Sequence, residues 1–162
     1  MASPLSLTHP EIFYVLAEDE SDFATRYMTL QADYPNARIV RVRGSKMRSL
    51  SALFDEISAA FQFPYYFGEN WVALYDCLTD LDWAKAQDYL LLVSDAHLVL
   101  GDEPTTMLKK FLDLLVEVHR AWSSTSDQGE TTSFRMIFQT SPDSEAIWWE
   151  KLYLAGYAHP PT

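Results

Sequence analysis

The chain has 162 residues, 48% hydrophobic and 14% aromatic, which excludes general disorder and suffices to bury one proper core. Twelve basic against 23 acidic side chains give a net charge of −11, which argues against a nucleic-acid backbone or an anionic membrane as partner and makes a basic macromolecule the natural opposite. Cys77 is the only cysteine, so no intrachain disulfide forms, and its apolar helical setting predicts a buried structural thiol rather than a catalytic one.

The N-terminus shows no basic n-region, and its apolar run Ile12–Ala17 is short and followed by Glu18, Asp19 and Glu20. No window approaches the ~18 apolar residues of a membrane span, so a cytoplasmic protein is expected. Ile12–Leu16 reads as a strand, being apolar and rich in strand formers. Ser21 is the expected cap of a helix that aligns Phe23, Tyr27 and Leu30 and ends before Pro35. Ile39–Arg43 is a second strand, stopped by Gly44. Ser49 opens a helix with Leu50, Leu53, Phe54, Ile57 and Phe61 inward. After a shorter helix and Trp83, Tyr89–Val93 is the most apolar strand, as expected of a central parallel strand covered on both faces.

Pro104–Trp122 then predicts a long helix with proline in its first turn, burying Met107, Leu108, Phe111, Leu114, Leu115 and Val118. The polar stretch Ser123–Ser133 reads as a mobile loop. Phe134–Phe138 is a fourth strand, and Asp143 or Ser144 begins a terminal helix carrying Ile147, Trp148, Leu152 and Leu154. Strands separated by helices imply an α/β fold with a parallel sheet and right-handed crossovers. No repeat or linker divides the chain, so residues 1–162 are expected to form a single domain.

The most informative stretch is Phe63–Leu81. Pro64 and Gly68 bracket Tyr65, Tyr66 and Phe67, which forces a turn. Asn70 is a good N-cap for a helix in which Trp71, Leu74, Leu78 and Leu81 form one apolar stripe, with Cys77 beside it. The other face carries Val72, Ala73, Asp76, Thr79 and Asp80. Asp80 and Asp82 place negative charge at the helix C-terminus, against its dipole, at about 0.3–1 kcal/mol each when exposed. Such local rule-breaking tends to fall at functional sites.

This pattern of Pro64, Tyr66, Phe67, Gly68, Glu69, Asn70, Trp71, Ala73, Leu74, Tyr75, Asp76, Cys77, Leu78 and Thr79 resembles barstar, the family of protein inhibitors of small secreted bacterial ribonucleases. The resemblance implies a barstar-like small parallel sheet surrounded by helices over about residues 38–140. An extra N-terminal βα unit at about 11–35 and a C-terminal helix at about 143–155 would flank it. It also implies an inhibitor, without catalysis or cofactor, that occludes the active site of a small basic ribonuclease or other basic toxin. Asp76 matches the aspartate that enters the ribonuclease active site, and Tyr66 the aromatic that stacks near the catalytic histidine. Gly68 and Asn70 match the turn at the helix entrance, Thr79 and Asp80 continue the same face, and Glu117 matches a peripheral acid. Two departures stand out. Val72 occupies the place of a second family acid, and Tyr75 that of a tryptophan, so Val72, Ala73 and Tyr75 make a more apolar contact face.

Two other readings compete. Arg38, Arg41, Arg43, Lys46 and Arg48 form a basic strip without acids, either a sheet edge paired with acidic neighbours or a second contact surface of a non-inhibitory interaction module. Asp76 and Asp80, at i and i+4, could serve an acid-pair hydrolase. Against that, the chain has no nucleophile motif, glycine-rich phosphate loop or metal triad, and zinc at Glu117 and His119 would lack further ligands.

Overall fold

Four runs of β-branched and aromatic residues become the strands of one sheet in the computed structural model, which describes residues 5–124 and 131–161. They are β2 (Phe13–Ala17), β3 (Ala37–Arg43), β4 (Asp88–Ser94) and β5 (Ser133–Thr140). All pairings are parallel, and the order across the sheet is β2-β5-β4-β3. The N-terminal strand β2 therefore extends the sheet beside β5, with Phe13 opposite Met136 and Ala17 opposite Thr140. Two residues at each end of the chain, β1 (Ser6–Leu7) and β6 (Ala158–His159), add an antiparallel ribbon, too short to leave a periodic signal in the sequence.

Among the described residues five helices flank the sheet: α1 (Glu20–Asp33), α2 (Leu50–Phe61), α3 (Trp71–Asp80), α4 (Thr105–Ser123) and α5 (Glu145–Leu154). Alternation along β4 divides the apolar residues into two layers. Leu91 and Val93 join the main core with residues of α2, α3, α4 and α5. Leu92 points the other way, to Phe23 and Ile39, with Tyr27 and Leu30 of α1 packed against them. The central strand is thus covered on both faces, as its continuous apolar run requires.

Several local expectations shift. Asp19, not Ser21, caps α1: its carboxylate accepts the Asp22 N–H at 2.8 Å, and starting two residues earlier brings Glu20 into the first turn with Asp22, where the dipole favours acids. Pro104 stands at the N-cap of α4, outside the first turn, with extended ψ of 149°. Leu108, Phe111, Leu115 and Val118 are buried as the spacing predicts, with Leu112 and Val116 as well, while Met107 and Leu114 are half-buried. On α5 only Trp148 and Leu152 go inward; Ile147 and Leu154 are 48% and 64% exposed. With Trp148 and Leu152 turned to the core and Trp149 packed partly against it, Ile147 and Leu154 fall on the opposite flank of the helix. Ser123 closes α4 and Ser133 opens β5, and residues 125–130 of the expected mobile loop lie outside the described residues.

Gly44, which ends β3, is required by close approach. A Cβ there would lie 2.2 Å from the Asp95 carbonyl oxygen and 2.6 Å from that of Ser94.

Candidate protein-binding site

The aromatic turn is built from two inward rings enclosing two outward ones. Phe63 and Phe67 meet edge to face at 5.0 Å, and Phe67 packs on Phe54 of α2. The turn closes through Phe67 N–H to the Pro64 carbonyl at 3.0 Å. Tyr65 and Tyr66 are left outside, the first wholly exposed and the second 64% exposed, with ring centroids 5.8 Å apart. Tyr65 was not singled out by the sequence pattern, and its place between Pro64 and Tyr66 is the one signal of its exposure.

Asn70 caps α3 as its chemistry predicts. Its Oδ1 accepts the Ala73 N–H at 2.9 Å, and its Nδ2 donates to the Gly68 carbonyl at 3.1 Å. Glu69, between them, sits at φ +50°, a left-handed conformation that costs a non-glycine residue free energy and is commonly held at functional turns. Leu74, Leu78 and Leu81 are fully buried, and Trp71 packs edge to face on Phe54 at 5.6 Å. Two indoles fasten the assembly from behind. Trp83 Nε1 donates to the Phe61 carbonyl, and Trp122 Nε1 of α4 donates to the Leu78 carbonyl, each at 2.8 Å.

That anchoring fixes which side chains face outward. Val72 is 71% exposed, Asp76 and Asp80 are exposed one turn apart, and Ala73 and Thr79 are half-buried between them. Tyr75 packs partly against the core. The Thr79 hydroxyl is turned back on its own helix, donating to the Tyr75 carbonyl at 2.8 Å. Neither Asp76 nor Asp80 has a cation within ion-pair reach among the described residues, whereas Asp82 meets Lys85 at 3.6 Å. Glu117 on α4 is exposed but held by Arg120 at 2.7 Å. Burial pushes the Cys77 thiol above its ordinary pKa, and the nearby Asp76 and Asp80 carboxylates add to this, so it is a poor nucleophile.

Among the described residues no group of three or more His, Cys, Asp and Glu side chains could hold a metal ion. His119 is engaged instead with the Phe134 carbonyl at 2.9 Å. The basic strip is largely neutralised: Arg43 is bidentate on Glu56, Arg48 reaches Asp102 at 3.0 Å, and Arg41 meets Glu20 at 3.4 Å. Among the described residues no helix is long and apolar enough to cross a membrane.

Fold and surface together define the class: an α/β protein with a four-stranded parallel sheet flanked by helices, presenting aromatic and acidic side chains from a turn and the helix after it. The chain belongs to the family Barstar (barnase inhibitor), whose model matches residues 37–139. The matched stretch contains α2, the aromatic turn, α3, β4 and α4, while β1, β2, α1, α5 and β6 lie outside it. Among solved structures, the chain is similar to the ORC2 protein of Aeropyrum pernix in its ADP form, with a TM-score of 0.55 and 12% identity over 89% of this chain and 39% of that one. The ADPNP–ADP complexes of the same protein give a TM-score of 0.50 and 13% identity over 88% and 38%. At that identity the likeness is one of fold, and this chain spans about two-fifths of the ORC2 chain. No curated protein matches.

Proposed function

We propose that this protein is an inhibitor, acting in the bacterial cytoplasm as an immunity protein or antitoxin. It binds a small basic toxin, a barnase-like ribonuclease, and occludes its active site with α3 and the aromatic turn. The observation that carries this reading is Asp76, exposed in the middle of α3 with no cation within ion-pair reach among the described residues. A ribonuclease must gather Arg and Lys side chains to hold a phosphodiester. A carboxylate placed among them gains charge-assisted hydrogen bonds and relieves their mutual repulsion. Tyr65 and Tyr66 supply rigid aromatic area beside it, and Asn70 and Gly68 set the turn that aims them. Asp80, Thr79 and the peripheral Glu117 extend the same surface. The excess negative charge steers a cationic partner in.

Val72, Ala73 and Tyr75 make the centre of this face more apolar than an all-acid helix would be. The partner therefore offers an apolar patch beside its cationic cleft.

The first helix of this sheet offers no evident seat for a phosphate. Strand β2 runs into Glu18, Asp19 and Glu20, and Asp19 already caps α1. The Asp19 carboxylate occupies the place where a helix N-terminus would otherwise attract an anion, and Glu18 beside it is taken by Arg26.

The test is titration of a cognate ribonuclease with wild-type protein and with Asp76→Ala. Wild type is expected to abolish cleavage at one equivalent, and the variant, unchanged in melting temperature, to bind at least about thirtyfold more weakly, the loss of about 2 kcal/mol that marks a hot spot. A nuclease fully active in excess folded wild-type protein would sink the proposal.

A further inference from the structure

The basic strip splits into two halves. Arg43 and Arg48 are consumed by Glu56 and Asp102. Arg38 is half-buried, its Nε is enclosed without an acceptor, and no carboxylate lies within ion-pair reach of it among the described residues. Arg41 touches Glu20 at 3.4 Å and covers the Phe23 ring at 5.8 Å, yet its Nε also lacks an acceptor. Buried donors without partners are uncommon in folded proteins and call for an explanation.

Both arginines belong to β3, an edge strand whose one neighbour is β4. The Ala37 N–H goes to the Tyr34 carbonyl and the Arg43 N–H to Glu56, so these two amides face away from β4. The two-residue period of a strand turns Ile39 and Arg41 the same way, leaving their backbone groups at the open edge. A groove of about 480 Å³ runs along that edge, walled by Tyr27 and Gln31 of α1 and by Ala60 of α2. It adjoins a second groove that Arg38 also lines.

We propose that this edge receives an extended acidic segment of a partner protein, laid beside β3 as a fifth strand with two carboxylates three residues apart. Val40 and Val42 lie in the main core and Ile39 in the α1 layer, so Arg38 and Arg41 project from opposite faces of the sheet. A strand laid alongside presents alternate faces, so acids at i and i+3 reach one arginine each. Main-chain bonds to Ile39 and Arg41 supply affinity, and the arginines select the sequence. A second copy of this chain pairing through the same edge would bring Arg38, Arg41 and Arg43 against themselves. A nucleic acid offers no strand to the amides. The surface contains no residue of the α3 site and stands independently of it.

The experiment uses a fluorescein-labelled peptide, Thr-Val-Asp-Val-Thr-Glu-Val-Thr, and its sibling with Asn and Gln in place of the acids. Binding is read by anisotropy and by backbone amide chemical shifts of the full chain. Shifts concentrated at Ile39 and Arg41 are expected, with at least about tenfold weaker binding for Arg38→Gln, as the loss of a charge-assisted bond predicts, and partial recovery in Arg38→Lys. The neutral sibling should lose as much against wild-type protein, which keeps the test valid if Arg38→Gln folds poorly. Unmoved β3 amides, equal affinity for the two peptides, or a short single-stranded RNA binding where the acidic peptide does not would overturn the proposal.

Discussion

Trp122 Nε1 donates to the carbonyl of Leu78 at 2.8 Å, so the last turn of α3 is fastened to the far end of α4. The last carbonyls of a helix have no partner within it. In α3 the Leu81 N–H satisfies Cys77, and the indole satisfies Leu78. The surface that carries Asp76 is thereby held by a residue distant from it in sequence.

Trp122→Phe keeps most of the ring but removes the donor. Leaving a carbonyl unsatisfied at that contact costs about 1–3 kcal/mol. For a chain of this size each kcal/mol lowers the melting temperature by about 2–4 °C, measurable by calorimetry. Loosening of α3 should also raise the dissociation rate from a bound toxin. A variant with unchanged melting temperature would mean that the indole bond does not anchor α3.

Val72 is exposed in the first turn of α3, where an acid interacts well with the helix dipole. Val72→Glu is therefore expected to gain about 0.3–1 kcal/mol from the dipole, less about 0.2–0.5 kcal/mol for repulsion by Asp76 one turn on, a small net change in a urea titration. Against a basic ribonuclease it should also speed association and steepen its dependence on salt. A slower association would show that the apolar side chain at this position is itself part of the contact.

Glu56 links stability to acid. Its carboxylate accepts both the guanidinium and the backbone N–H of Arg43, and the guanidinium bond, opposed by partial burial, holds its pKa below the usual 4.5. A carboxyl with a depressed folded pKa binds protons more readily in the unfolded chain. Its contribution is thus fully present above about pH 4.5 and is lost as the pH falls through the folded value. Glu56→Gln should lower the urea midpoint at pH 7, and the gap to wild type should close on acidification. A gap independent of pH would assign the effect to packing.

Cys77 is 5% exposed, and burial raises its pKa. A thiol reagent at neutral pH should label the native protein slowly, at the rate set by local opening, and label one equivalent at once in denaturant. Rapid labelling of the folded chain would contradict the packing of α3.

How much of this was legible in the sequence varies with the range of the interaction. The Asn70 cap is decided within three residues, and the structure agrees in detail. The burial of Leu74, Leu78 and Leu81 follows from helical spacing alone, and the double coverage of β4 from its unbroken apolar run. Ser21 and Asp19, by contrast, are both competent caps, and the choice depends on where β2 releases the chain. Ile147 and Leu154 look as apolar as Trp148, but the rotation of α5 about its axis is set by what it docks on.

The sequence by itself determined the types of the longer elements, the apolar face of α3 and the outward placement of Val72, Asp76 and Asp80, because periodicity of side chains is a property of a few consecutive residues. Only the tertiary structure decided that β2 lies beside β5, that β1 meets β6, and that Arg43 and Arg48 are neutralised while Arg38 is not. Those outcomes depend on where the chain returns to itself: Arg48 and Asp102 are 54 residues apart, Trp122 and Leu78 44. No local pattern records such meetings, since they follow from the packing of whole layers.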